Sequence, residues 1–176
     1  MSVTDTQLEM NQELESLGLS LIGDAITTDE ERFITNLIDR EQWENIYSRR
    51  TIHFGYDYSY KTRKISPSIE RPSIPQYIIP KCVSDIFIPE QVIVNEYTNG
   101  QSIAQHTDAN VFGPVISILS LESDTYMDLS LGSKQWKLLL PRRSLLIFKG
   151  DARYKMKHGL KFNGNRRVSI TYRTIA

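Results

Sequence analysis

Apolar side chains recur at two different spacings along this chain, and the change from one to the other divides it. Phe33, Ile34, Leu37 and Ile38 fall on one face of a 3.6-residue period, so 29–40 reads as an amphipathic helix. Thr28-Asp-Glu-Glu31 has the form of a capping box, in which the Thr28 hydroxyl and the Glu31 carboxylate each satisfy a free backbone N–H at the helix start. A second short helix is expected around 82–88. From Val92 onward the texture changes to short apolar or alternating runs, at 92–97, 103–107, 115–120, 125–129, 135–140, 144–149, 153–158 and 167–174. Asn99-Gly100, between the first two, is a hairpin dipeptide. Leu131-Gly-Ser-Lys134, Pro141-Arg-Arg143 and Asn163-Gly-Asn165 supply further turns. The expectation is a mainly β, α+β fold: N-terminal helices followed by an antiparallel double-sheet jelly roll, the cupin-like double-stranded β-helix.

Other stretches lack either period. Residues 1–17 are polar and acidic and read as a flexible or weakly helical segment. Residues 18–176 read as one domain, with the jelly roll over 90–176 and a loop-and-short-strand segment rich in Arg, Lys, Tyr, Pro and Ser at 49–80. At 176 residues a core can form without staples. The lone Cys82 excludes an internal disulfide framework and suits a reducing compartment. No stretch approaches the roughly 20 apolar residues of a membrane span, and no basic region followed by an apolar run opens the chain. A monomer away from membranes is expected, cytoplasmic or, in a eukaryote, nuclear.

Net charge is zero but unevenly spread. Residues 1–30 hold seven acids and no Lys or Arg, leaving 31–176 with 21 basic and 14 acidic side chains. The basic body would attract an anionic polymer; a solvated surface with an acidic tail accounts for the same numbers.

His106-Thr-Asp108 carries the candidate chemistry. Residues i and i+2 of a strand project from one face, so His106 and Asp108 point together, and His158, followed by Gly159, is the best third partner among three histidines. Two imidazoles and one carboxylate on one face of Fe(II) leave positions for a keto acid and O2. The plainer alternative is a hairpin-capping His106 and a satisfied strand-end His158. Arg167 and Arg173 weigh against it. Six apart on a strand otherwise built of Val168, Ile170 and Tyr172, they share a face, and guanidinium forks match carboxylates. Buried toward a barrel interior they need an anion, and 2-oxoglutarate has one at each end.

These residues resemble the AlkB family of Fe(II)/2-oxoglutarate-dependent dioxygenases, from about Arg49 to Thr174. Asn95-Glu-Tyr97-Thr-Asn-Gly100-Gln-Ser-Ile-Ala-Gln-His106-Thr-Asp108 is similar to the family's N-x-Y-x-x-G-x-x-I-x-x-H-x-D signature without a gap. Pro141-Arg-Arg-Ser-Leu-Leu-Ile147 and Gly150-Asp-Ala-Arg153-Tyr-Lys-Met-Lys-His158-Gly159 resemble the stretch ending in the second histidine. Arg167-Val-Ser169-Ile-Thr-Tyr-Arg173 resembles the terminal R-x-N-x-T-x-R, with Ser169 in place of Asn. The resemblance implies His106, Asp108 and His158 as catalytic iron ligands. It implies Arg167 and Tyr97 at the distal carboxylate of 2-oxoglutarate, Asn95 and Arg173 near its chelating end, and Ser169 as a weaker contact. The implied reaction uses O2 to decarboxylate 2-oxoglutarate and oxidise a substrate C–H bond; a hydroxylated N-methyl group leaves as formaldehyde.

Arg49-Arg50-Thr-Ile-His53-Phe-Gly55-Tyr56-Asp-Tyr58-Ser-Tyr60 resembles the family's nucleotide-recognition lid. A base must leave its stack to be oxidised, and aromatics interleaved with arginines offer stacking faces and phosphate contacts. Arg50, His53, Tyr56, Tyr58, Tyr60, Asn110 and Arg153 are therefore candidate substrate contacts. Alternatively the Tyr56, Tyr58, Tyr60 face packs on the helical layer, and Arg153 is a surface charge. Asn110 stands where many repair members carry an acid. The lid and the P-R-R-S-L-L block are closest to the branch that includes tRNA wobble-uridine hydroxylases and bacterial or viral relatives. The expected partner is nucleic acid (tRNA or other RNA, or alkylated DNA), oxidised by N-demethylation or hydroxylation. An oxygenase of protein side chains or small molecules, and a catalytically silent binding module, are the alternatives.

Overall fold

A computed structural model of the chain describes residues 5–46, 48–59, 61–66 and 71–176. The elements run α1 (Asp5–Ser16), β1 (Leu19–Ile22), α2 (Thr28–Ile38), β2 (Glu44–Ile46), β3 (Arg49–Gly55), β4 (Asp57–Ser59) and β5 (Lys64–Ser66). A 3-10 turn (Gln76–Ile78) and α3 (Lys81–Ser84) lead into β6 (Gln91–Tyr97), β7 (Ser102–His106), β8 (Phe112–Leu121) and β9 (Thr125–Leu131). The chain continues through β10 (Lys134–Leu140), β11 (Leu145–Phe148), α4 (Gly150–Tyr154), β12 (Lys157–Lys161) and β13 (Arg167–Ile175). Antiparallel pairing builds a seven-stranded sheet, β1-β11-β8-β13-β6-β3-β2, and a four-stranded sheet, β10-β9-β12-β7. A separate ribbon, β4-β5, stands beside them. This is the expected mainly β fold, with two antiparallel sheets forming a jelly-roll core.

The large sheet is buried on both faces, which explains the texture of its central strands. On β13, Val168, Ile170 and Tyr172 join Val92 and Val94 of β6 in an apolar layer covered by Ile34 and Ile38 of α2, Ile78 and Val83. The Tyr172 hydroxyl donates to Ile78 O at 2.6 Å, closing that layer. The alternate residues, Arg167, Ser169, Thr171 and Arg173, face the other sheet together with Ile93, Asn95 and Tyr97. A second apolar cluster, including Leu129, Leu140, Phe148 and Leu160, fills the rest of the sandwich. Strand parity thus puts one face into the core and the other into a cavity.

Four expectations are corrected. Helix α2 is capped by Thr27, not Thr28: Glu30 N donates to Thr27 Oγ1 at 3.1 Å and Thr27 N to Glu30 Oε2 at 2.7 Å. Glu31 is unavailable for capping because it is 1 % exposed and pairs with Arg142 at 2.6 Å, tying α2 to the β10–β11 turn. The run 153–158 is not a strand. It divides into the end of α4 and the start of β12, as Ala152 N donates to Leu17 O and Arg153 N to Lys149 O. Asn99-Gly100 is a turn, with Gly100 at φ +84, but β6 and β7 lie in different sheets, so it makes a corner and not a hairpin. Its backbone is satisfied across the corner, with Gly100 N donating to Phe162 O and Phe162 N to Gln101 O. Finally, Asp5–Ser16 is a helix docked on the sandwich rather than a free tail. Leu14 enters the core, and Glu13 accepts from Trp136 Nε1 at 3.1 Å and pairs with Lys134. Within 49–80, β3 is a full member of the large sheet.

Candidate metal centre and co-substrate cavity

Residues His106 of β7 and His158 of β12 are directly opposed in register, and their rings lie 4.4 Å apart between centroids. Gly159 permits this approach, since a Cβ there would sit 2.7 Å from Gln105 N and 2.8 Å from Ile103 O. Asp108 follows His106 on a loop held from both sides. Thr107 Oγ1 donates to Met156 O at 3.0 Å, and the 2 % exposed Arg153 donates to the carbonyls of Asp108, Ala109, Phe112 and Gly113 at 2.8–3.0 Å. Arg153 therefore braces the loop from behind instead of reaching the cavity as the sequence suggested.

One ligand atom from each of His106, Asp108 and His158 lies within 4.8 Å of the others. The donor set fits a divalent cation. His106 Nδ1 is 2.9 Å from Ala104 O, which requires the proton on Nδ1 and leaves Nε2 as a lone pair. That lone pair faces Asp108 Oδ1 at 3.3 Å, and His158 Nε2 faces the same oxygen at 3.7 Å. Among the described residues Oδ1 accepts no hydrogen bond. Converging buried acceptors need a cation or a proton between them. His158 rests on the Phe148 ring, centroids 4.9 Å apart.

Burial alone would raise the Asp108 pKa, but Arg173 Nη2 at 2.7 Å and the two imidazoles hold it well below the carboxylate range. Burial drops His158 to about 4. Burial also opposes charge on His106, but Asp108 outweighs it and raises that pKa. One carboxylate and one imidazole that is neutral at physiological pH are ready to ligate, and the other imidazole must first lose a proton at mildly acidic pH.

Beside this cluster opens a cavity of about 680 Å3 whose floor is the inward face of β3, β6 and β13. Register lays it out in rows: Tyr97 beside Arg167, Asn95 beside Ser169, and Gln91 beside Arg173. Arg167 is 1 % exposed and lies 5.5 Å over the Tyr97 ring. Its Nη2 donates to Ser120 Oγ at 3.0 Å, while its Nε has no hydrogen-bond partner among the described residues. Burial lowers its pKa to about 10, so it remains a cation at neutral pH. A buried guanidinium with an unused donor calls for an anion. Arg173 is engaged differently, on Asp108 and on Gln91 Oε1 at 3.0 Å. Asn95 Oδ1 accepts from Arg49 Nε at 2.9 Å, and Ser169 lines the floor.

The expected substrate contacts scatter. Tyr58 lines the cavity, packed on Phe112 with centroids 4.9 Å apart. Asn110 lies on an adjoining groove. Arg50 points to the opposite face, bidentate to Glu96 at 2.8 Å and stacked on Trp43. His53 is buried beside Thr51, with its pKa lowered to about 4 by burial. Tyr56 is half exposed and outside the cavity. Tyr60 lies outside the described residues. The cavity instead gains Arg49, Arg63 and Lys157. Arg49 could have been found by parity, since it lies two residues before Thr51, the register partner of Asn95.

No protein-family model matches the chain. The uncharacterized protein L905 of Acanthamoeba polyphaga mimivirus is 34 % identical over 182 residues, covering 90 % of this chain and 85 % of that protein. The alkylated DNA repair protein ALKBH8 homolog of Arabidopsis thaliana is 27 % identical, over 94 % of this chain and 60 % of its own length. The tRNA (carboxymethyluridine(34)-5-O)-methyltransferase ALKBH8 of Macaca fascicularis is 29 % identical, over 81 % and 24 %. The chain thus spans most of the viral relative, but 60 % of the plant protein and about a quarter of the primate one. Among solved structures, OsALKBH1 superposes with a TM-score of 0.74 at 17 % identity, covering 89 % of this chain and 96 % of that one. A 2OG-Fe(II) oxygenase-family oxidoreductase from Burkholderia pseudomallei gives 0.68 at 12 % identity, covering 94 % and 88 %.

Proposed function

Since the chain belongs to the AlkB family of Fe(II)/2-oxoglutarate-dependent oxygenases, we propose that it oxidises a modified base in nucleic acid, by N-demethylation or by hydroxylation. Its cofactor is Fe(II), with 2-oxoglutarate and O2 as co-substrates. When bound, the iron supplies O2 activation coupled to decarboxylation of the keto acid.

The chain's own residues do the rest. His106, Asp108 and His158 would hold the metal, each offering one ligand atom at the edge of the cavity. Arg167, backed by Tyr97 and Ser120, takes the distal carboxylate of 2-oxoglutarate, while Asn95, Ser169 and Arg173 border its chelating end. Arg173 also pairs with Asp108 at 2.7 Å and so holds that carboxylate in place. Tyr58, packed on the buried Phe112, gives the cavity an aromatic wall for a flipped base.

The observation that carries this reading is charge. Five cations (Arg49, Arg63, Lys157, Arg167 and Arg173) line the cavity against one carboxylate, Asp108, among the described residues. Fe(II) and the 2-oxoglutarate dianion cancel one another, so a surplus of positive charge remains at the mouth, as a polyanionic substrate requires. The relatives' names point the same way, one to tRNA and one to alkylated DNA.

Nucleosides from tRNA, rRNA and alkylated DNA incubated with the chain, Fe(II) and 2-oxoglutarate test the reading by mass spectrometry. Loss of a methylated nucleoside with formaldehyde identifies demethylation; gain of one oxygen without formaldehyde identifies hydroxylation. If no nucleoside changes while a peptide or small molecule stimulates succinate release, the nucleic-acid reading is wrong.

A further inference from the structure

Beside the Asp108 loop the cavity adjoins a second groove, of about 650 Å3, whose lining includes none of His106, His158 and Arg167. Arg63, Thr107, Asp108 and Ala109 border both spaces, so the groove leads directly away from the oxidised position. Its far wall is Tyr154, the last residue of α4, which is 46 % exposed. The Arg153 guanidinium backs that ring at 4.7 Å and is itself locked on four backbone carbonyls. Tyr154 is therefore a firmly supported aromatic platform with its outer side in solvent. Arg63, just before β5, lines the same groove. Among the described residues the groove's only carboxylate is Asp108, already held by Arg173. Asn110, on the lip, offers both amide donors and an acceptor.

We propose that this groove is a subsite for the nucleotide next to the target in a single strand, with its base stacked on Tyr154 and its phosphate against Arg63. The inference rests on the nucleic-acid reading above and adds to it the form of the substrate. A base delivered to the metal leaves its stack, and its neighbour then loses a stacking partner. A supported aromatic ring replaces that partner without regard to sequence, because every base has a π-face. A neighbouring base still paired in a duplex could not turn into the groove.

The test is fluorescence anisotropy of a fluorescein-labelled ten-nucleotide single strand of mixed sequence, as RNA and as DNA. It is read against the full chain with Fe(II) and 2-oxoglutarate under anaerobic conditions. Tyr154→Ala is expected to weaken binding about ten-fold, within the range of one lost base stack, and Tyr154→Trp to restore it. Arg63→Ala is expected to lower the slope of log Kd against log salt by about 0.7, the value for one phosphate of a single strand. Affinity for 2-oxoglutarate, measured by calorimetry, should stay unchanged in both Tyr154 variants. If the wild-type chain binds the strands and Tyr154→Ala binds them equally well, the subsite is refuted and the function above stands. The subsite is likewise refuted if Tyr154→Trp fails to restore binding, since the ring then serves only to support Arg153. If the wild-type chain binds neither strand, both readings fall.

Discussion

At its metal end the cavity is walled by β12 and β13, each paired on both sides, beside the edge strand β7 that carries His106, whereas at its lid end it is walled by a separate two-stranded ribbon and the first residues of β3. β13 is bonded to β6 and β8 along nearly its whole length, and β12 sits between β7 and β9. The ribbon β4–β5 pairs only with itself over three residues. It is held to the body by Arg71, which bonds Asp57 of β4 and Glu44 of β2. One end is thus over-determined by backbone bonding and the other depends on a few side chains. Catalytic geometry that must be held to fractions of an ångström belongs at the first end; adaptable substrate contacts belong at the second.

Substitutions should follow that division, with the largest effects at the braced end. Asp108→Ala or His158→Ala is expected to abolish metal-dependent succinate release, and elemental analysis should show loss of bound iron while the circular dichroism of the fold persists. Arg167→Gln removes the buried cation and should raise the KM for 2-oxoglutarate by about 100-fold, the equivalent of ~3 kcal/mol, with little change in Fe(II) affinity. Arg153→Met strands four buried carbonyls and should cost about 3 kcal/mol in urea unfolding, with weaker metal binding because Asp108 is no longer fixed. Arg71→Met loosens only the lid. It should raise the KM for the nucleic acid by a few-fold, consistent with a partly exposed pair worth about 1 kcal/mol, and leave the KM for 2-oxoglutarate untouched. A lid variant that disturbed 2-oxoglutarate binding would erase the contrast.

pH sharpens the same contrast. Metal binding needs neutral imidazoles. His158, at about 4, is already neutral throughout the physiological range, whereas His106, raised above its ordinary value, is protonated in the metal-free chain at mildly acidic pH. Metal affinity should therefore fall as pH drops through the His106 pKa. Below the ordinary histidine value of about 6.5, one proton, not two, should be released per metal bound. Calorimetry in buffers of different ionisation enthalpy counts that proton.

The same contrast governs what the sequence could reveal. The spacings of His106 to Asp108 and of Arg167 to Arg173 become shared faces because strands convert even separations into a common side. The lid residues carry no such rule until the register with β6 is known. Arg49 and Arg50 are neighbours, yet one bonds Asn95 inside the cavity and the other Glu96 outside it. Two overlapping capping boxes, Thr27 to Glu30 and Thr28 to Glu31, are equally open locally. The choice is made by Arg142, 111 residues away, which buries Glu31. Arg153 is out of reach of pattern reading because its acceptors are backbone carbonyls, identical in every sequence. For the same reason its run reads as a strand until the fold is seen.

The most direct test is an anaerobic titration of the chain with Fe(II) in the presence and absence of 2-oxoglutarate, followed by visible absorption. A weak charge-transfer band should appear only when both are present, saturate at one iron per chain, and vanish in His158→Ala and at ordinary 2-oxoglutarate concentrations in Arg167→Gln. A band that forms without 2-oxoglutarate, or that survives loss of His158, would contradict a keto acid chelated on an iron held by His106, Asp108 and His158.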